Sequence, residues 1–449
     1  MLQSHVINVL PRRLLASFWA TPETRISLSH LMKPLDSQQP AAIEPSFLCN
    51  ELPVRYTHIL RLLSTLSHES LQSPIIRNVA HSYLRDICTL LHPSLKQTSP
   101  KAFSKVLTKL RQSQALNLIR LKYALLSKPL ATSVSLLENI NIIHTGIHLL
   151  LDQHLSWDTN HAQKVCPETI ANQAVDDAKK TLLDALGAHT TLPEIEIKRD
   201  TMINKRCSQE SEREFVFLPN LLHRILYEST LLSLKAQAMQ NEETDSKLNW
   251  FQRQWKGKHR PLSLRIFGGP TSVGFRLDSA ASLHDHDLLP SIPRDILGIP
   301  VCGSVLSQTS ANKVNDETLR HPEMVEWASM SGWRSAKTLA RHWGGNLDAV
   351  SVEGLGSTIY LALDRDPTLP EHYPSRISLA ASAHSLLRHH RRTSAAVASA
   401  DHTLSIQAAA TQLDAFLYAI SDSQQSTFVN PNPLYHHHSV SLTAAVGHA

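Results

Sequence analysis

The feature that most constrains this chain is a run of four long apolar-periodic stretches between residues 51 and 155. Residues 51–66 place Leu52, Ile59, Leu60, Leu63 and Leu66 near one face of a 3.6-residue helix. Ile75 to Leu91, Phe103 to Leu126 and Leu136 to Leu155 repeat the pattern. Ser73-Pro74, His92-Pro93 and Ser99-Pro100 punctuate it. Four amphipathic helices with short connections predict an antiparallel bundle over residues 26–185.

The sequence changes character after that. Residues 186–363 read as a mixed α/β domain: a helix from Phe217 to Ala238, a strand at 261–267 with alternating apolar residues, and a helix from Trp333 to Trp343 that stops at Gly344-Gly345. A strand, glycine turn and strand follow over 347–363. Helices combined with hairpin strands predict a sandwich. Residues 364–449 are rich in Ser, Ala and His and read as a mostly disordered tail with one helix, Leu404 to Ile420. His389-His390, His436-His437-His438 and the cluster Arg388 to Arg392 read as solvated tail rather than ligand sets, because no partner ligands stand at metal-binding spacing.

Composition excludes several classes. The net charge of +5, from 44 basic and 39 acidic residues, is too small to point to nucleic acid. No run approaches 18 uninterrupted apolar residues, so no membrane insertion is expected. Five scattered cysteines without a CxxC predict free thiols in a reducing compartment. Residues 1–22 carry Arg12 and Arg13 and no acid, the first being Glu23. A cationic, acid-free, amphipathic opening predicts a mitochondrial presequence over residues 1–25 and a matrix location.

Four blocks in order resemble the mitochondrial pyruvate dehydrogenase kinase and branched-chain α-ketoacid dehydrogenase kinase family. The first holds Phe47 and Leu48, then Glu51, Leu52, Pro53, Val54 and Arg55, similar to the family's E-L-P-[VI]-R. The second, 146–155, keeps Gly146, Gln153 and His154. The third, 217–236, resembles the helix carrying E-x-x-K-N, and the fourth, 338–363, resembles the family's F-G-G … S-x-E-G-x-G-T segment. The resemblance implies a four-helix bundle followed by a GHKL (Bergerat-type) α/β sandwich. It implies a kinase that uses ATP and magnesium to phosphorylate a serine on the E1 subunit of a 2-oxoacid dehydrogenase complex, docks on the lipoyl domain of E2 and forms a homodimer.

The same resemblance assigns roles. Glu228 stands where the family has its catalytic base, and Leu232 where it has the asparagine that holds magnesium. A leucine cannot ligate a hard cation. Arg224 replaces the histidine four residues before the glutamate. In the D-x-G-x-G box, taken at 268–274, Gly268 stands at the aspartate and Gly269 and Gly274 supply a turn. In the G-x-G-[LI]-P box only Gly332 is kept, with Met330 and Arg334 at the other positions, and Arg334 is free in principle to meet a phosphate. The last box is kept best, with Gly354, Gly356, Ser357 and Thr358. The nucleotide site expected is therefore Gly268, Gly269, Gly332, Gly356, Ser357 and Thr358, with no identifiable metal ligand. The Asp-Trp tail by which many members brace a dimer is absent. Two readings follow: an active kinase with a modified pocket, and a pseudokinase that keeps the docking surfaces.

Overall fold

The computed structural model describes residues 10–32, 43–126, 131–156, 161–187, 192–199, 214–247, 261–284 with Leu288, 322–374 and 405–421. The histidine and arginine clusters of the tail lie outside these residues. The helices, in chain order, are α1 Arg12–Ala20, α2 Pro45–Leu63, α3 Pro74–Leu91, α4 Pro100–Leu126, α5 Ala131–Leu155, α6 Pro167–Leu186, α7 Pro219–Lys247, α8 Pro322–Ser329, α9 Trp333–Arg341 and α10 Ile406–Ile420. The strands are β1 Gln163–Val165, β2 Ile195–Arg199, β3 Phe215–Phe217, β4 Leu262–Gly268, β5 Ser272–Ser279, β6 Asn346–Val352 and β7 Gly356–Asp364.

The four expected helices are α2 to α5, and the helix expected in the tail is α10. The chain forms two compact units. Of the described residues, one gathers 10–24, Ser46–Thr98 and 405–421, so it holds α1, α3, α10 and nearly all of α2. Its core includes Trp19, Leu52, Tyr56, Ile59, Leu60 and Tyr83, all fully buried. The other unit comprises Arg25–Pro45 and Ser99–Tyr373.

In this second unit five strands run in the order β2-β4-β5-β7-β6. β2 is parallel to β4, and every other pair is antiparallel. Strand alternation sorts the side chains cleanly. Leu264, Phe275, Leu277, Ile359 and Leu361 face a buried core shared with α6, α7 and α9. Asp278, Arg276, Thr358 and Tyr360 occupy the other parity and face outward. Helix α6 was not among the four long helices expected. Its buried face consists mostly of small residues, including Ala171, Ala174 and Ala178, and these give a weak hydrophobic signal. Residues 26 and 371 close the unit: the Glu371 N–H donates to the Ile26 carbonyl (2.8 Å), and the Ile26 N–H to the Glu371 carboxylate (3.1 Å).

Helix α5 passes a membrane-span test by length and composition over Thr132–Leu155, although 67% of its apolar window is buried inside the protein. The fold encloses it as a core helix.

Candidate functional site

Glu228 sits mid-way along α7, where the helix turns its face toward α8. It is buried, and its carboxylate lies 3.2 Å from the Arg224 Nε four residues earlier. The Arg224 guanidinium is itself held. It stacks over the Trp327 ring at 3.3 Å and donates to the Trp327 carbonyl at 2.7 Å. Lys122 from α4 reaches the same region and donates to the Ser329 carbonyl. Burial pushes its ammonium down to about 8, with Arg224 adding repulsion and Glu228 opposing both. Glu228 is thus the counter-charge of two buried cations. The one carboxylate oxygen near Arg224 has no well-aligned hydrogen bond, so the attraction is mainly Coulombic. Beside this group opens a cavity of about 320 Å³ whose polar lining is His148, Asp152, Asn220, His223, Arg224 and Trp327.

The residues present do not fit a magnesium ion held as the family holds it. Leu232, one turn beyond Glu228, packs against the apolar core of the unit. A side chain committed to the core offers no oxygen to a cation.

The expected nucleotide residues fall into separate places. Gly268 ends β4 opposite Val273, and Gly269 opens the tight turn to β5, where its N–H donates to the Ser272 carbonyl (2.8 Å). Gly274 is a strand residue whose missing Cβ makes room for the Phe267 ring. Gly356 is at the other end of β5, because Ser279 pairs with Ser357 and Ser272 with Asp364. β5 has eight residues, so roughly 23 Å separates its two ends. A single nucleotide corner cannot contain both groups, and the assignment of the D-x-G-x-G box to 268–274 is corrected. The strand that ends beside the G-x-G-S-T turn is β5, and the residues that follow its apolar run are Asp278, Ser279, Ala280 and Ala281. Two-glycine turns also close hairpins, which is why the earlier turn drew the assignment.

At that corner Gly356 has φ +108, and a Cβ there would lie 2.2 Å from the Ser279 carbonyl oxygen. Only glycine permits this approach. Ser357 and Thr358 are adjacent on β7 and so point to opposite faces. The buried Ser357 hydroxyl donates to the Ala281 carbonyl (2.7 Å), and the Ser279 hydroxyl reaches Gln237 of α7 at 3.5 Å. Thr358 donates outward to Asp278 (2.8 Å), which also accepts from Arg276 (2.8 Å). On the helix side, where the aspartate of the box would serve, the chain presents the hydroxyl of Ser279. Among the described residues that end β5, the acid, Asp278, is turned to the far face. Gly332 is the N-cap of α9 at φ 92. Arg334 is engaged by Glu138 (2.7 Å) and the Leu288 carbonyl (2.8 Å), so it is not the free phosphate contact the sequence allowed.

The first block has a clear structural role. Glu51 and Arg55 are buried and paired at 2.9 Å. The Thr24 N–H donates to Glu51 (3.0 Å), and Arg55 donates to the Thr24 carbonyl (2.9 Å). Burial raises the Glu51 carboxyl above its usual range, opposed by Arg55. The family model of the mitochondrial branched-chain alpha-ketoacid dehydrogenase kinase matches residues 25–177. The mitochondrial [pyruvate dehydrogenase (acetyl-transferring)] kinase of Arabidopsis thaliana is 23% identical over 369 residues, 76% of this chain and 91% of the plant protein. Over these spans the chain is similar to the mitochondrial dehydrogenase kinases. The matched span contains the Glu51–Arg55 block. In the second block His154 serves packing: its Nδ1 meets the Ile43 carbonyl at 3.1 Å, and its ring lies edge-on to Phe103. Sequence reasoning missed Trp327 and Lys122 as neighbours of the kinase-like glutamate. Neither belongs to a family block, and only the fold brings them to α7.

Proposed function

We propose that this chain is a kinase-family regulator of a mitochondrial 2-oxoacid dehydrogenase complex. The observation that carries this reading is a buried Glu228 on α7, at its family position, in a chain whose first block is intact as the Glu51–Arg55 clamp. The reaction implied is transfer of the terminal phosphoryl of ATP to a serine of E1 in the matrix, on a scaffold of helical bundle and GHKL-type sandwich docked on an E2 lipoyl domain. In that reading Glu228 takes the serine hydroxyl proton, which requires it to leave Arg224. A second copy of the chain would meet the open side of the sheet at its edge strand β6, where Val350 and Val352 are exposed beside Leu355 of the adjoining turn.

A second reading is favoured by one specific feature. With Leu232 packed against the core and Glu228 held by Arg224, the chain works as a binding module that docks on the complex without transferring phosphoryl. Calorimetric titration with ATP, with and without magnesium, and transfer of labelled phosphate to E1 test the two together. The kinase reading expects magnesium-dependent binding and E1 labelling that Glu228→Gln abolishes. The module reading expects lipoyl-domain binding without labelling. Absence of both lipoyl-domain binding and labelling would overturn the assignment as a whole.

A further inference from the structure

The acid-free, arginine-bearing opening reads as a mitochondrial presequence over residues 1–25. The structure uses part of it as a wall of the fold. α1 places Leu15, Ala16 and Trp19 in the interior at 1%, 0% and 0% exposure, and Leu10 just ahead of it is also buried. Its partner is α10, near the other end of the sequence. Trp19 packs on Phe416 at 6.1 Å between ring centres, and its indole N–H donates to the Gln412 side chain at 3.3 Å. A buried indole with its donor matched is a mark of a settled core position. The residues that follow are tied down as well. The Thr21 carbonyl meets His58 Nε2 at 3.0 Å, and Thr24 is gripped at both its N–H and its carbonyl by the buried Glu51–Arg55 pair. The cationic side is left outside. Arg12 is mostly exposed and makes a surface pair with Asp414 at 3.1 Å.

We propose that the address is retained: the mature protein keeps Pro11 to Thr24, with α1 as part of its first unit, and any processing cut falls upstream of Pro11. One stretch then has two successive uses. Before import its arginines present a positive face to the translocation machinery. After import its apolar face closes over α10, and the E-L-P-V-R block latches the segment behind it. A cut anywhere from Thr21 to Arg25, the span a 25-residue presequence would suggest, would remove Trp19 from Phe416 and leave the apolar side of α10 (Ala409, Leu413, Phe416) uncovered. It would also strip or loosen the polar partners of a buried glutamate and arginine, and such groups are costly to leave unmatched.

This rests on the mitochondrial reading, and the test keeps the two apart. The full chain is imported into isolated mitochondria, and its amino terminus in the protease-protected fraction is identified by terminal labelling and mass spectrometry. The expected result is a terminus at or before residue 11. A terminus beyond Ala20 would overturn retention. Failure to become protease-protected would overturn the mitochondrial reading and with it the address role. The packing role is read independently in purified full-length protein. Trp19→Phe should lower the unfolding temperature by several degrees, whereas Arg12→Gln combined with Arg13→Gln should leave it unchanged while reducing import several-fold. An unchanged unfolding temperature in Trp19→Phe would overturn retention on structural grounds, because the segment would then be dispensable to the fold.

Discussion

Two buried Glu–Arg pairs, each four residues apart on a helix, behave differently. In Glu51–Arg55 both partners are also matched by the backbone of Thr24, so the charges and their hydrogen-bonding atoms are accounted for. In Arg224–Glu228 the order along the helix is reversed, the arginine leans on an indole, and a carboxylate oxygen lacks an aligned donor. The first order suits the helix dipole, and the second opposes it. The comparison separates a pair that fixes structure from a pair placed where chemistry is expected. A fully satisfied pair has no spare valence, and an incompletely satisfied one can still exchange partners.

The comparison can be broken or sharpened by measurement. Arg55→Met should have the largest effect. It strands a buried carboxylate and the Thr24 carbonyl, and should cost about 3–5 kcal/mol in denaturant unfolding. A loss below about 1 kcal/mol would show that the clamp is ornamental. Glu228→Gln should cost about 3 kcal/mol, because Arg224 and Lys122 lose their shared counter-charge. If stability is unchanged while E1 labelling disappears, Glu228 acts as a base and not as a counter-ion. Gly356→Ala should cost roughly 3 kcal/mol through its left-handed backbone and its contact with the Ser279 carbonyl, read by thermal unfolding.

The pH dependence isolates a third buried group. Burial holds His144 down to about 3, with the neighbouring His148 adding to the effect. Its proton is therefore taken up by the unfolded chain first. Stability is unaffected above about pH 6.5 and falls as pH drops below it, by about 2 kcal/mol at pH 5. His144→Gln should reduce that slope in urea titrations at pH 5 and 7, His148 and His372, also held down by burial, supplying the remainder; an unchanged slope would refute the assignment. The smallest effect is expected for Asp414→Asn, at less than about 0.5 kcal/mol, because its pair with Arg12 is exposed to solvent.

Periodicity made α2 to α5 legible, because Leu and Ile recur at helical spacing through all of them. It left α6 unlisted, because alanines at the buried positions hardly raise the signal. The hairpin of β6 and β7 was readable from Gly354 and Gly356, both at positive φ. The corner around Gly356 was not readable in the same way. Placing the D-x-G-x-G box needed the pairing of β5 with β7, which no short window contains. The difference between Asp278 and Ser279 is one of strand parity, set by which face α7 covers. Glu228 was identifiable by its place in a block, but Arg224 gave no sign that it would lean on Trp327, 103 positions away.

Helix α5 carries a consequence for the unfolded chain. Folded, its 24-residue apolar segment is sheltered by its neighbours. Exposed by unfolding, the same segment would present a long stretch of Leu and Ile to water, so the neighbours that shelter it also guard the chain against self-association.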